Sequence, residues 1–230
     1  MSSSCPTAPP PPPAPVSVET ALLPAGSVLF RCHKAGYPAN SFNSNAGKHI
    51  GVPEEGARFN PFPGAPAANI PTIYAADLLE AAALESIFHD VPHVPSPSYP
   101  RLRLGEWSYS ELKVTRDLVL LELVNPKLRQ FRVPSRVESI TESELIHTPP
   151  SEYPHTRTWA QSFHTALSKL DGLAWRPRLA GTGTSFVFFG DRFKTGDLQI
   201  HSSPTPTAIG DGFLEIYALA KRAHITIVIP

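Results

Sequence analysis

The chain has 230 residues, which is long enough for one domain with a sizeable buried core. Its 20 Lys and Arg balance 20 Asp and Glu, and this zero net charge argues against direct binding to nucleic acid or to an anionic membrane. Proline is the unusual residue, since its count of 27 is about twice the average share. The chain is therefore expected to be rich in turns or to carry a proline-rich segment.

The cysteine content and the lengths of the apolar runs indicate in which cellular compartment the protein is expected. Two cysteines, Cys5 and Cys32, cannot form a disulfide framework, which favours a reduced, cytoplasmic protein. The sequence has no run of 18 apolar residues, and its start lacks the charged and apolar regions of a signal peptide. We therefore expect no transmembrane helix, no membrane partner and no export.

The first 17 residues, MSSSCPTAPPPPPAPVS, are dominated by proline. Such a run favours polyproline II and cannot pack a core. Residues 1–17 are therefore predicted to be a disordered tail, and residues 18–230 are predicted to form one domain. A second interpretation makes the tail a ligand for a proline-binding module.

The first predicted elements are two strands and a helix. Strands are expected at residues 28–33 and 71–75, and the long region between them is rich in Gly, Pro and Asn. Long loops of this kind are often functional. A helix is predicted directly after the second strand, with Asp77 as its N-cap and Glu80 completing a box-like pair.

The later elements follow in mixed order. Residues 92–112 are expected to be irregular. The remaining patterns predict a strand at 118–124, a short helix or turn near 139–144, a helix at 156–170 ended by Gly172, strands near 174 and at 185–189, a helix at 213–223 and a strand at 225–229. Strands and helices do not alternate regularly, which favours the α+β class over a doubly wound sheet.

The sequence carries no recognisable metal or nucleotide-loop motif. Its nine histidines are scattered, without the H-E-x-x-H or paired-cysteine spacing of metal sites. His89 and His93 are four residues apart, but Pro92 interrupts the helix between them. No G-x-G-x-x-G, P-loop or G-x-S-x-G motif occurs. We therefore predict no metal site.

Four residues form a candidate site for an anionic ligand with a ring. Arg31 ends an apolar strand, Arg58 lies in a loop, Tyr74 precedes the predicted helix, and Glu85 lies beside its apolar face. Arginine forks match phosphate oxygens, an aromatic face stacks on a ring, and a half-buried carboxylate stabilises a developing positive charge. The alternative is that Arg31 and Glu85 form a structural ion pair and Tyr74 belongs to the core.

At these residues the sequence resembles the RES-domain family, over about residues 29–230. The matching pieces are LFR, GARFNP, IYAADLLEAAALESIFHD, YPHTRTWAQSFHTAL, DGLAWRPR, VFFGDR and ALAKRAHITIVIP. Their order and spacing carry the resemblance. It implies a single α+β domain similar to the ADP-ribosyltransferase fold, and a toxin of an Xre–RES toxin–antitoxin system that cleaves the nicotinamide–ribose bond of NAD⁺, with water or phosphate as acceptor.

The resemblance also implies roles for the four residues. Arg31 and Arg58 would hold the diphosphate or ribose of NAD⁺, and Tyr74 would pack on its nicotinamide end. Glu85 would bind the ribose and stabilise the oxocarbenium-like transition state, with Arg31 as the second catalytic residue. NAD⁺ is then the substrate, and no cofactor is implied. An Xre-type antitoxin is the implied protein partner, and a homodimer is the implied assembly.

One position departs from the family pattern. The family has a serine after the aromatic residue of the DGLAW piece, and Pro177 occupies that place here. Proline offers neither a hydroxyl nor an N–H group. Ser185, eight residues later, would serve only if the loop is shifted. The alternatives are therefore an enzyme that does not need the serine, protein ADP-ribosylation through the same donor site, or a non-catalytic module that binds a nucleotide or a partner.

Overall fold

A nine-stranded sheet organises the molecule. The computed structural model describes residues 18–45, 56–64, 68–133 and 137–229. The predicted tail, residues 1–17, lies outside the described residues. Its interpretation as a ligand for a proline-binding module therefore stays a prediction.

The strands and helices of the described residues are short. The strands are β1 (Ala21–Leu23), β2 (Val28–Lys34), β3 (Thr72–Ala76), β4 (Ser98–Pro100), β5 (Trp107–Val114), β6 (Leu118–Glu122), β7 (Gly172–Trp175), β8 (Ser185–Phe189), β9 (Leu198–Ile200), β10 (Thr205–Pro206) and β11 (Thr226–Val228). The helices are α1 (Leu79–Leu84), α2 (Asn125–Leu128), α3 (Glu142–Ile146), α4 (Tyr153–Ala166) and α5 (Gly210–Arg222). In the described part of the chain, no helix has the length and apolarity needed to span a membrane.

The topology places the chain in the α+β class, as predicted. The strands of the large sheet lie in the order β1-β6-β7-β8-β3-β2-β5-β10, and β9 pairs with β5 as well. Its pairs are antiparallel except for β6 with β7. Strands β4 and β11 form a separate parallel pair. Among the described strands of the large sheet, only β6 and β7 are parallel neighbours joined through helices, and the other pairs are antiparallel, as in the α+β class.

One face of the large sheet carries the helices. Residues paired across strands share a face, and successive residues alternate between faces. Ser185 pairs with Trp175 and with Ala76, and Tyr74 lies two residues before Ala76, so all four share this face. Helices α1, α4 and α5 contribute to the apolar clusters that pack on it. We call it the helix face.

The opposite face is covered by loops. Leu29, Ile73 and Phe188 are buried in one cluster on this side, and Phe193 packs against it from a loop. Arg31 lies two residues after Leu29 on β2, so its side chain belongs to the same side. We call this the loop face. The parity of the strand therefore places Arg31 on the side away from the helices.

Strands β2 and β3 separate along their length. In the described part of the chain, the two strands pair at Phe30 and Ala76. Beyond that point β2 continues beside β5 to Lys34, whereas Thr72 on β3 bridges to Asn43. The divergence opens space between two neighbouring strands of the sheet. Both cavities described below are lined by residues of β2 and β3.

The prediction of an irregular region at residues 92–112 is wrong, because β4, a 3-10 turn and most of β5 occupy it. Ser108 and Ser110 of β5 are buried, and polar residues at buried positions hide the alternation that marks a strand. The buried hydroxyl of Ser110 is hydrogen-bonded, because it donates to Nε2 of His33 on β2 at 2.9 Å.

The prediction that Asp77 caps the first helix is also wrong. Helix α1 begins at Leu79, and its N-cap, Leu78, makes no side-chain capping bond. Asp77 instead accepts a 2.7 Å hydrogen bond from the Thr184 N–H, and its own N–H donates to the Thr184 carbonyl at 3.0 Å. Asp77 therefore fixes the residue that precedes β8 rather than the start of a helix.

Gly172 does not end the helix before it. Helix α4 runs from Tyr153 to Ala166, so it both begins and ends earlier in the chain than predicted, and Gly172 is the first residue of β7. A Cβ atom at Gly172 would lie 2.2 Å from the Val187 carbonyl oxygen on β8. The close approach of the two strands therefore accounts for this glycine.

Candidate functional site

A cavity of about 620 Å³ lies between the helix face and α1. Its volume falls in the range of small-molecule sites, roughly 300–1,000 Å³. It brings together three of the four predicted site residues, Arg58, Tyr74 and Glu85. The other charged, aromatic or hydroxyl-bearing residues on its walls are Lys34, Ser86, His89, Asp90, Arg103, Trp107, Tyr153, Trp175 and Ser185.

Glu85 is the C-cap of α1 and is half-buried, as its position beside the apolar face indicated. Its Oε1 accepts a 2.9 Å hydrogen bond from the backbone N–H of Leu179. Its Oε2 accepts no hydrogen bond from the described residues. The loop therefore orients the carboxylate while one of its oxygens stays available to a ligand.

Arg58 supplies a fixed positive charge. Its Nη1 donates to the Thr148 hydroxyl at 2.6 Å and to the Leu145 carbonyl at 3.1 Å. The guanidinium lies 4.8 Å from the centre of the Tyr153 ring. Burial lowers the pKa of Arg58, but a guanidinium remains charged at neutral pH. Within the described residues no carboxylate pairs with it, so this charge is suited to an anionic ligand.

Aromatic rings form the wall on the helix face. The Tyr74 and Trp175 rings lie edge to face, with centroids 6.0 Å apart, and Phe59 packs edge to face on Trp175 at 5.2 Å. The Tyr74 hydroxyl accepts a 3.2 Å hydrogen bond from the Phe59 N–H. Burial raises the pKa of Tyr74, so the phenol is neutral. Tyr74 is thus a core residue and a wall of the cavity at once.

Arg31 lies elsewhere, in a second cavity of about 590 Å³. Its Nη1 donates to the carbonyl oxygens of Ala39 and Ser41, the latter at 2.8 Å. Burial lowers the pKa of the Arg31 guanidinium to about 10. No ion pair joins Arg31 to Glu85 in the described part of the chain, so the alternative of a structural pair is not supported. A direct role for Arg31 at the substrate stays a prediction.

Cys32 and His89 are two further residues on the cavity wall. Burial raises the pKa of the Cys32 thiol to about 12, so Cys32 is not a thiolate nucleophile at neutral pH. His89 Nδ1 is paired with Asp90 at 2.8 Å on the exposed rim. Among the residues described, no cluster of three His, Cys, Asp or Glu side chains could hold a metal ion.

The comparison with protein families gives one match. Residues 28–208 match the model of the RES domain, which covers more than half of the chain. The chain belongs to the RES-domain family. At the family level, RES domains are associated with toxins and with NAD⁺-processing enzymes. A comparison with curated proteins returns no match.

The two positions considered for the family serine, Pro177 and Ser185, differ in their relation to the cavity. Pro177 is buried, its carbonyl accepts a 3.2 Å hydrogen bond from the Gly181 N–H, and it does not line the cavity. Ser185 lines the cavity and is 3% exposed. Ser185 pairs with Trp175 and therefore faces the same side, and no local sequence pattern reveals this register.

Proposed function

We propose that this RES domain cleaves the bond between nicotinamide and ribose in NAD⁺. The observation that carries the proposal is that Arg58, Tyr74 and Glu85 line one cavity in a member of a family associated with NAD⁺ processing. A cation, an aromatic wall and a carboxylate match the three chemical parts of that substrate. NAD⁺ is the substrate in this proposal, and no cofactor is needed.

Charge supports binding of the diphosphate near Arg58. Its guanidinium is positioned by neutral acceptors and keeps its net charge for a ligand. Lys34 and Arg103 also line the cavity, although Lys34 is largely committed to Glu106 at 2.7 Å. Guanidinium forks suit phosphate oxygens geometrically. We therefore place the diphosphate toward Arg58 and the nicotinamide ring toward Tyr74 and Trp175.

Glu85 supports the bond-breaking step. The electron pair of the C1′–N bond leaves with nicotinamide, whose charged pyridinium becomes a neutral ring, so no general acid is required. Positive charge then develops on the ribose carbon and ring oxygen. The carboxylate, held by Leu179, stabilises that charge and can accept a hydrogen bond from a ribose hydroxyl. Water or phosphate adds to the ribose carbon, and its proton is released to solvent.

A second candidate is a domain that binds the nucleotide without consuming it. Pro177 favours this candidate because no hydroxyl stands where the family has one. Transfer of ADP-ribose to a protein is a variant of the first proposal, since it needs the same donor site. We place the activity in the cytoplasm, as a toxin that drains NAD⁺ and that pairs with an Xre-type antitoxin, on the basis of the family.

Product analysis tests the proposal. The full chain is incubated with NAD⁺ in phosphate-free buffer and in phosphate buffer, and the products are separated by chromatography. We expect nicotinamide together with an equal amount of ADP-ribose, or of its 1-phosphate when phosphate is present. Binding of NAD⁺ without any product would favour the second candidate, and neither binding nor product would contradict both.

A further inference from the structure

Ser185 carries a buried hydroxyl that has no partner. The side chain is 3% exposed, and its Oγ makes no hydrogen bond with the described residues. Buried polar groups are nearly always hydrogen-bonded, so an exception calls for a partner that arrives with a ligand or with water. Because Ser185 lines the cavity of the candidate site, a ligand in that cavity is a candidate partner for this hydroxyl.

The backbone holds this hydroxyl in place. Ser185 is paired on both sides, with Trp175 on β7 and with Ala76 on β3. The residue before it, Thr184, is tied to Asp77 by hydrogen bonds of 2.7 and 3.0 Å. A hydroxyl on a strand that is fixed at both edges is preorganised for a ligand.

The other serine on the cavity wall is not available in the same way. Ser86 donates its hydroxyl proton to the Ala82 carbonyl within α1. Pro177, at the family's serine position, has no hydroxyl and does not line the cavity. Of the two serines lining this cavity in the described residues, Ser185 is therefore the one with an unused hydroxyl.

The neighbours of Ser185 indicate which part of the substrate it meets. Its cross-strand partner Trp175 and the nearby Tyr74 present aromatic surface on the same face. A pyridine ring packs on aromatic surface, and the carboxamide of nicotinamide both donates and accepts hydrogen bonds, as a serine hydroxyl does. We propose that the Ser185 hydroxyl binds the carboxamide group of nicotinamide.

This proposal rests on the proposed function, but its test does not require turnover. Affinities for nicotinamide and for ADP-ribose, which lacks the nicotinamide group, are measured by calorimetry on the full chain. Ser185→Ala is expected to weaken nicotinamide binding about tenfold and to leave ADP-ribose binding unchanged. Ser27→Ala is the control, because the Ser27 hydroxyl donates to the Pro24 carbonyl in a turn outside the cavity, and it is expected to change neither affinity.

Folding does not confound this test. Replacing an unpaired buried hydroxyl by a methyl group removes no hydrogen bond, so Ser185→Ala should melt at or above the wild-type temperature. Nicotinamide affinity that is equal in wild type and Ser185→Ala would overturn the proposal, and so would a wild type that binds ADP-ribose but not nicotinamide. A wild type that binds nicotinamide through Ser185 but leaves NAD⁺ intact would keep this inference and contradict the proposed cleavage.

Discussion

The backbone N–H of Leu179 donates a 2.9 Å hydrogen bond to Oε1 of Glu85. This contact joins the end of α1 to the loop that follows β7, and it brings Glu85 and the segment around Pro177 into one unit. The same loop continues to Thr184 and β8, where Ser185 lines the cavity. The carboxylate and the hydroxyl of the site are therefore set by one stretch of chain.

Two replacements of Glu85 should separate the effect of its hydrogen bond with Leu179 from the effect of its negative charge. Glutamine keeps an oxygen that accepts the Leu179 hydrogen bond, so Glu85→Gln should melt close to wild type. Alanine removes the acceptor, and Glu85→Ala should lose about 1 kcal/mol of stability, or about 2–4 °C in melting temperature for a domain of this size. Thermal unfolding of both variants checks this. Equal destabilisation by Gln and Ala would show that the loop does not depend on this bond.

Arg58 should act on the phosphate end of the ligand. Arg58→Lys keeps a positive charge but lacks the guanidinium fork that suits phosphate oxygens, and it lacks the Nη1 donor to Thr148 and Leu145. We expect affinity for ADP-ribose to fall about 10- to 100-fold and affinity for nicotinamide to stay unchanged, the reverse of the pattern for Ser185→Ala. Calorimetry with both ligands measures this. A parallel loss of both affinities would mean that the whole cavity collapses.

Arg31 should act mainly on stability. Its guanidinium holds the carbonyl groups of Ala39 and Ser41 on the loop face, so Arg31→Ala should destabilise the fold by about 1–3 kcal/mol. Urea unfolding measures this loss, and ADP-ribose affinity is then measured where the variant is still folded. Unchanged affinity is expected from its place outside the first cavity. A folded variant that no longer binds would instead support the direct role that the family resemblance implies.

His33 should make the fold sensitive to acid. Burial lowers the pKa of His33 below its ordinary 6.5, so in mild acid the unfolded chain takes up a proton that the folded chain resists. Stability is therefore present above about pH 6.5 and falls as the pH drops toward the folded pKa, by at most about 1.4 kcal/mol per pH unit for one group.

Urea unfolding between pH 7 and pH 5 tests the role of His33. His33→Gln should lose less stability over this range than wild type does. The exposed His201 provides the control, since His201→Gln should keep the wild-type dependence. An unchanged slope in His33→Gln would assign the acid sensitivity to other groups, such as the buried His164, whose pKa burial also lowers.

Apolar patterning made part of the fold predictable. The run at 185–189 coincides with β8 because every residue of that strand is buried. Strand β5 is not recognisable in the sequence because the polar residues Ser108 and Ser110 occupy buried positions. The Ser110 hydroxyl is hydrogen-bonded to His33, which is distant in sequence, on β2. Asp77 has the local pattern of a helix cap, but Thr184, 107 residues away, takes its hydrogen bonds. Such long-range partners are not written in a local pattern.

The residue types of the candidate site were predictable from the sequence, but the sheet face on which each residue lies was less so. Arg58, Tyr74 and Glu85 do meet in one cavity. Arg31 does not join them, because it lies on the loop face of β2 and lines the second cavity. Adjacent residues of a strand point to opposite faces, so a difference of one position is enough to separate Arg31 from the site. The orientation of Ser185 is not predictable for the same reason, since its face depends on a register with Trp175 that the sequence alone does not reveal.

The rate of nicotinamide release from NAD⁺ by wild type and by Glu85→Gln tests the central claim most directly. Glu80→Gln is the matched control, because Glu80 lies on the same helix but outside the cavity. We expect turnover by wild type and Glu80→Gln and a loss of about 10²–10³-fold in Glu85→Gln, with all three proteins folded. Equal turnover by wild type and Glu85→Gln, or none by a folded wild type that binds ADP-ribose, would contradict it.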